Sequence, residues 1–149
     1  MPPSRHSISA DEGSASLEFI TAGMLLLLPI VYLVLALSAI QAGAFAVEGA
    51  ARQAARVYVQ SANPAAANSA AGRAVEFALA DYGIDASDVQ VTVSCSDTPC
   101  LTRREFVTVT VTTTVTLPLV PPVLNLDVPL SIPISSSATQ QVSRFWGSR

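Results

Sequence analysis

The sequence predicts an α+β fold: a long N-terminal transmembrane helix continuing as a stalk, then a small domain with one helix and an antiparallel sheet of about three strands. Three observations carry this. An uncharged run from Phe19 to Val47 exceeds the roughly 20 residues needed to cross a ~30 Å hydrocarbon core. Past Asn63-Pro64 apolar residues recur at helical spacing, and past Val89 the period switches from about 3.6 to 2. Half of the 149 residues are hydrophobic, only 13% are charged and the mean hydropathy is +0.47, whereas an ordinary soluble domain carries about a quarter charged residues.

The polar leader 1–13 holds Arg5 and His6 but also Asp11 and Glu12, so it lacks the basic n-region of a secretory signal peptide, and the apolar run is too long for one. From Ser14 no helix breaker appears before Asn63-Pro64, apart from Pro29 within the span, which membrane helices tolerate at the cost of a kink. A helix over 14–60 would be ~70 Å long at 1.5 Å per residue, more than a membrane requires, and the excess reads as a stalk. Glu48, Arg52 and Arg56 lie at i, i+4 and i+8, one charged face. Ala42, Ala46, Ala50 and Ala54, continuing from Ser38, form a small-residue stripe at the spacing that lets helix backbones approach, which suits packing in a bundle with other helices. Genome composition accounts for high Ala equally well, since the basic residues are all Arg and Lys is absent.

The distal segment 61–149 is expected to form an extracytoplasmic domain. Ala65–Tyr82 reads as a second helix with Ala71, Val75, Ala78, Leu79 and Tyr82 on one side, and Gly83 as its C-terminal stop. Val89, Val91 and Val93 alternate with polar residues, as do Val107, Val109, Val111, Val115 and Leu117 with threonines, which is the pattern of half-buried strands. A third alternating run, Leu124, Leu126, Val128, Leu130, Ile132 and Ile134, is interrupted by Pro129 and Pro133 and belongs at a sheet edge. The polar tail from Ser135 is expected to fray, with Phe145 and Trp146 packing on the domain. Cys95 and Cys100 fall where the first two strands turn. A hairpin disulfide follows, worth ~2 kcal/mol for so short a loop, with free thiols as the alternative. A bridge would place this half in an oxidising compartment.

Several function classes are poorly supplied. A net charge of −3 and a pI near 4.9 argue against nucleic acid. One His and two Cys make a poor metal site, and no nucleophile, base and orienter stand together, so no enzyme, cofactor or small-molecule substrate is expected.

The junction of leader and span carries the functional signal: Gly13-Ser14-Ala15-Ser16-Leu17-Glu18-Phe19-Ile20, followed by Leu-Leu-Leu-Leu-Pro and an Ala- and Arg-rich continuation. Residues 13–58 resemble the TadE-like minor pilins of tight-adherence (Flp) pilus systems, a branch of the type IV pilin superfamily. The resemblance implies that a prepilin peptidase cuts between Gly13 and Ser14 on the cytoplasmic side, and that Glu18 becomes the glutamate at the fifth position of the mature chain. It further implies other pilins and an inner-membrane assembly platform as partners, and a single-pass protein with a cytoplasmic N-terminus and an external C-terminal domain. Physical chemistry gives Glu18 a reason of its own. A carboxylate at the edge of hydrocarbon needs a partner, and cleavage would create an α-amino group at Ser14 one helical turn away. Alternatively, Glu18 only marks the wet end of the helix. Arg52 and Arg56 follow the span while only Arg5 precedes it, so charge counting alone predicts the opposite orientation. Two other functions stay open: a single-pass signal-anchored surface binding domain with an intact N-terminus, and a pseudopilin of a type II secretion system.

Overall fold

The computed structural model describes residues 12–118 and 131–147, with side chains from residue 15 onward. The expected apolar strand residues Leu124, Leu126, Val128 and Leu130, and the leader residues before Glu12, lie outside this set. The elements in order are helix α1 (Glu12–Gln60), helix α2 (Pro64–Ala80), a 3-10 turn (Ala86–Asp88), and strands β1 (Gln90–Cys95), β2 (Phe106–Thr116) and β3 (Ser131–Gln141). The fold is therefore α+β with a long N-terminal apolar helix, a second helix and an antiparallel sheet ordered β1-β2-β3.

The chain divides into two compact units between Leu35 and Ala36, within α1. In the first, every described side chain is exposed, Leu17 and Leu27 at 68% and 60% of their surface. In the second, α1 buries one stripe: Gly43, Ala46, Val47, Ala50, Ala51, Ala54, Ala55, Tyr58 and Val59, the three- and four-residue steps of an amphipathic helix. This stripe joins Ala67, Ala71, Val75 and Leu79 of α2 and the valines of β2 in one core. The expected division of a stalk at 14–60 from a domain at 61–149 is thereby corrected. Residues 36–60 are the central helix of the domain, and the uncharged run conceals the change because Ala and Gly serve a core as well as they extend a span.

α2 starts where local chemistry requires. Asn63 holds an extended conformation and its Oδ1 accepts from the Ala66 amide at 2.9 Å, while Pro64 occupies the first turn, where its missing N–H costs nothing. It closes with Ile84 N–H on the Leu79 carbonyl and Gly83 N–H on that of Ala80, the paired bonds of a Schellman motif, and Gly83 takes the left-handed φ of 68° that the motif needs. Ile84 packs back on the core. Tyr82, expected on the buried side, is half exposed because the helix has ended before it.

β2 is the central strand and alternates cleanly, Val107, Val109, Val111, Thr113 and Val115 inward and buried, threonines outward. Opposite it, Val91, Val93 and Cys95 of β1 and Ile132, Ile134 and Ala138 of β3 fall on the inner face. On the outer face hydroxyls pair across strands: Thr108 with Thr139 at 2.7 Å, Thr110 with Ser137 at 2.8 Å and Thr112 with Ser135 at 3.0 Å. Pro133 sits on the outer strand β3, where a lost donor is tolerated.

The expectation of a frayed tail is overturned. Ser135–Gln141 form most of β3, Val142 is buried with its N–H on the Glu105 carbonyl at 2.8 Å, and the indole N–H of Trp146 donates to the Ser61 carbonyl at 2.9 Å. Small hydroxyl residues make an adequate strand here because their neighbours across the ladder are hydroxyl residues too.

Candidate functional site

The first unit offers the clearest chemistry. At 1.5 Å per residue the exposed stretch Leu17–Leu35 is about 28 Å long, close to the ~30 Å of a bilayer core. Residues 15–60 include a helix long and apolar enough to cross a membrane. Phe19, Leu25, Leu26, Leu28, Leu33 and their neighbours point outward around its whole circumference, an all-round apolar surface rather than a stripe. Thr21 hides its hydroxyl by donating to the Leu17 carbonyl at 2.7 Å, a local satisfaction that suits an apolar setting.

Glu18 is the only charged side chain between residues 15 and 47, and it is exposed. Arg52 and Glu48 form the single ion pair among the described residues, so no described cation neutralises Glu18. Gly13 and Ser14 lie within α1, which begins at Glu12. Helical spacing puts Ser14 and Glu18 four residues apart on one face. A positive charge at Ser14 N would thus meet the carboxylate across one turn.

Ala46, Ala50 and Ala54 are not available as a surface for other helices: they are 0–1% exposed inside this chain's own core, and Ala42 is half-buried. The bundle expectation is corrected for these residues. Their small size does permit close approach, but to the chain's own elements. At Gly43 this is sharpest, because an added Cβ would collide with Val115 Cγ2 and lie 3.1 Å from Ile134 Cδ1.

Cys95 and Cys100 are joined, with their Cα atoms 5.2 Å apart, and the adjoining Leu101 is buried. The bridge closes the turn between β1 and β2. That turn also holds Arg103 and Arg104. Arg103 Nε donates to the Trp146 carbonyl at 2.8 Å, and Arg104 has φ of 69°. The Arg104 backbone is held on both sides, its N–H on the Val142 carbonyl and its carbonyl on Gln141 Nε2.

Two features escape the sequence reading. Thr113 occupies an inward position in β2, 2% exposed, and its hydroxyl has no hydrogen-bond partner among the described residues. Its only sequence trace is the break in Val-Thr alternation at Thr112-Thr113-Thr114. It lines a hollow of about 340 Å³ with Ala39, Gly43, Tyr82, Asp85 and Asp88. The Ser87 amide donates to Asp85 at 2.9 Å and holds that carboxyl below the usual carboxylate range. Among the described residues no three His, Cys, Asp or Glu side chains gather as metal ligands.

No family model matches this sequence, and no curated protein or solved structure matches it either.

Proposed function

We propose that this chain is a TadE-like pseudopilin: a membrane-anchored subunit cut after Gly13 by a prepilin peptidase and acting in assembly of an Flp-type pilus rather than in turnover. The observation that carries the reading is the coincidence, on one helix, of an all-round exposed apolar segment of bilayer length with one carboxylate at its start. That carboxylate lies one turn from the residue that cleavage would make the N-terminus. A charge so placed costs least when a neighbouring charge answers it, and a new α-amino group at Ser14, on the same chain or another, is such an answer. The bridged Cys95–Cys100 turn supports a domain on the oxidising side of the membrane and a cytoplasmic leader. The partners on this reading are the peptidase, the inner-membrane assembly platform and other pilins.

The deciding measurement is the N-terminal residue of the protein purified from membranes of its native host, by intact mass and terminal peptide mapping. Ser14 is expected. A start at Met1 or Pro2, with the peptidase active, replaces this reading with a signal-anchored surface binding domain.

A further inference from the structure

The second unit is polarised along its length. At one end meet the α1–α2 turn, the β1–β2 turn and the segment after β3, tied by Trp146 to Ser61 and Arg103 to Trp146. This end carries Arg103, Arg104 and Arg144, with Arg56 in the last turns of α1, against Asp97 and Glu105. Glu105 is engaged by the Ser96 hydroxyl at 2.8 Å. At the opposite end are the close of α2, the 3-10 turn and the last residues of β2. This end carries Asp81, Asp85 and Asp88 and no described cation.

The hollow at the acidic end has the chemistry of a guanidinium site. Asp85 and Asp88 supply carboxylates, which pair with Arg through short charge-assisted bonds. Half-exposed Tyr82 supplies a ring face on which a guanidinium can stack. Thr113 lines it too, nearly fully buried, with an occluded hydroxyl oxygen that lacks a partner among the described residues. A buried hydroxyl left unanswered is unfavourable, so a donor that opens the hollow has something to satisfy. The Ser87 amide lowers the Asp85 pKa further and so favours its charged form.

The matching donor is displayed at the basic end. Arg104 stands at a turn in a left-handed conformation that Gly or Asn adopts more cheaply, with its backbone fastened by Val142 and Gln141. Backbone strain maintained in a bulky charged residue marks a position where the side chain matters.

We propose that the domain binds a second copy of this chain head to tail, Arg104 of one copy entering the Tyr82/Asp85/Asp88/Thr113 hollow of the next. Such a contact is heterologous. It joins unlike surfaces and leaves one of each unused, so it adds further copies until the rotation between them closes a ring, and without closure it forms an open array. The inference deepens the pilus-assembly reading and rests on it, because it makes the chain a subunit of a repeating array.

Charge exchange between full-length chains tests it. Arg103→Glu/Arg104→Glu has two acidic ends and Asp85→Arg/Asp88→Arg two basic ones. Differently tagged wild-type chains in detergent should co-purify, each variant should lose self-association about tenfold or more, and an equimolar mixture of the two variants should regain it, with all association falling as salt rises. Self-association of either variant at the wild-type level overturns the inference, as does a mixture that fails to recover while both variants keep the Cys95–Cys100 bridge and the wild-type proteolysis pattern. The milder Arg104→Gln and Asp88→Asn, which keep side-chain size, must each weaken association about threefold. If free arginine at millimolar concentration binds the wild type while chains do not associate, the hollow is a small-molecule site and the inference also fails. N-terminal mapping of the same samples separates the two ideas. A Ser14 start without exchange recovery sinks only the head-to-tail contact, and recovery with an intact Met1 start sinks only the pilin reading.

Discussion

Residues 15–35 and 36–60 belong to one helix and are both rich in apolar residues, yet they use them in opposite ways. The first stretch carries Leu, Ile, Phe and Met and leaves them exposed on every side; the second turns Ala, Gly and Val inward and buries them. The difference is one of size and distribution as well as hydrophobicity. Bulky residues all round a helix demand an apolar solvent. A one-sided stripe of small residues demands a partner surface whose backbone can come close, and here the sheet supplies it at Gly43. A mean over the whole run cannot distinguish these uses.

The comparison can be broken most forcefully in the first stretch. Leu27→Arg/Leu28→Arg places two charges mid-segment at about 3 kcal/mol each, so carbonate-resistant membrane retention should be lost while the Cys95–Cys100 bridge still forms. Retention unchanged from wild type would remove the bilayer assignment of residues 15–35. A smaller effect of opposite location is expected from Ala50→Leu. Overpacking a fully buried position costs about 1–3 kcal/mol, seen as a lower urea midpoint in pulse proteolysis with membrane retention intact. Leu27→Ala should leave that midpoint where it is.

Glycines within the second stretch sharpen the contrast. Gly43→Ala meets Val115 and should destabilise by about 1 kcal/mol or more, whereas Gly49→Ala has open space and should stabilise by about 0.4–1 kcal/mol through lower unfolded-chain entropy. Equal midpoints for the two variants would show that the α1–sheet approach is not tight. The smallest effect concerns pH. The Asp85 carboxyl is lowered in the folded state by the Ser87 amide, so its stabilisation is present above the unfolded Asp value, about 3.9, and is lost as pH falls through the folded value. Asp85→Asn should flatten the acid limb of the midpoint-versus-pH curve, and an unchanged limb would assign the acid sensitivity to other carboxylates.

Much of this architecture is legible in local pattern. The Val-Thr alternation defines β2, Asn63-Pro64 and Gly83 bracket α2 within two residues, and the cysteines fall at the expected turn. What pattern does not encode is the identity of the partner. Ala46, Ala50 and Ala54 read equally well against another chain's helix or this chain's sheet, because spacing fixes which residues share a face and not what covers it. The sequence places Ile132 and Ile134 in an edge strand but hides the rest of β3 for a different reason: Ser135 to Gln141 have low apolarity, and their strand character comes from cross-strand hydroxyl pairs with β2 that exist only once the sheet is assembled. Of the hollow at Tyr82, Asp85 and Thr113, only the misplaced threonine leaves a trace, since its residues come from three separate segments.

The chain has a single tryptophan. Trp146 is half-buried, and its indole hydrogen bond reaches a carbonyl 85 positions away at the α1–α2 turn. Its emission therefore reports on that seam between sheet and helices, and the exposed apolar segment has no indole. Helical circular dichroism, by contrast, loses the share of residues 36–60 and α2 when the second unit opens but keeps the share of residues 15–35 as long as they stay wound in a micelle. A titration followed by both signals thus carries a built-in optical separation of the two regions, with no label added.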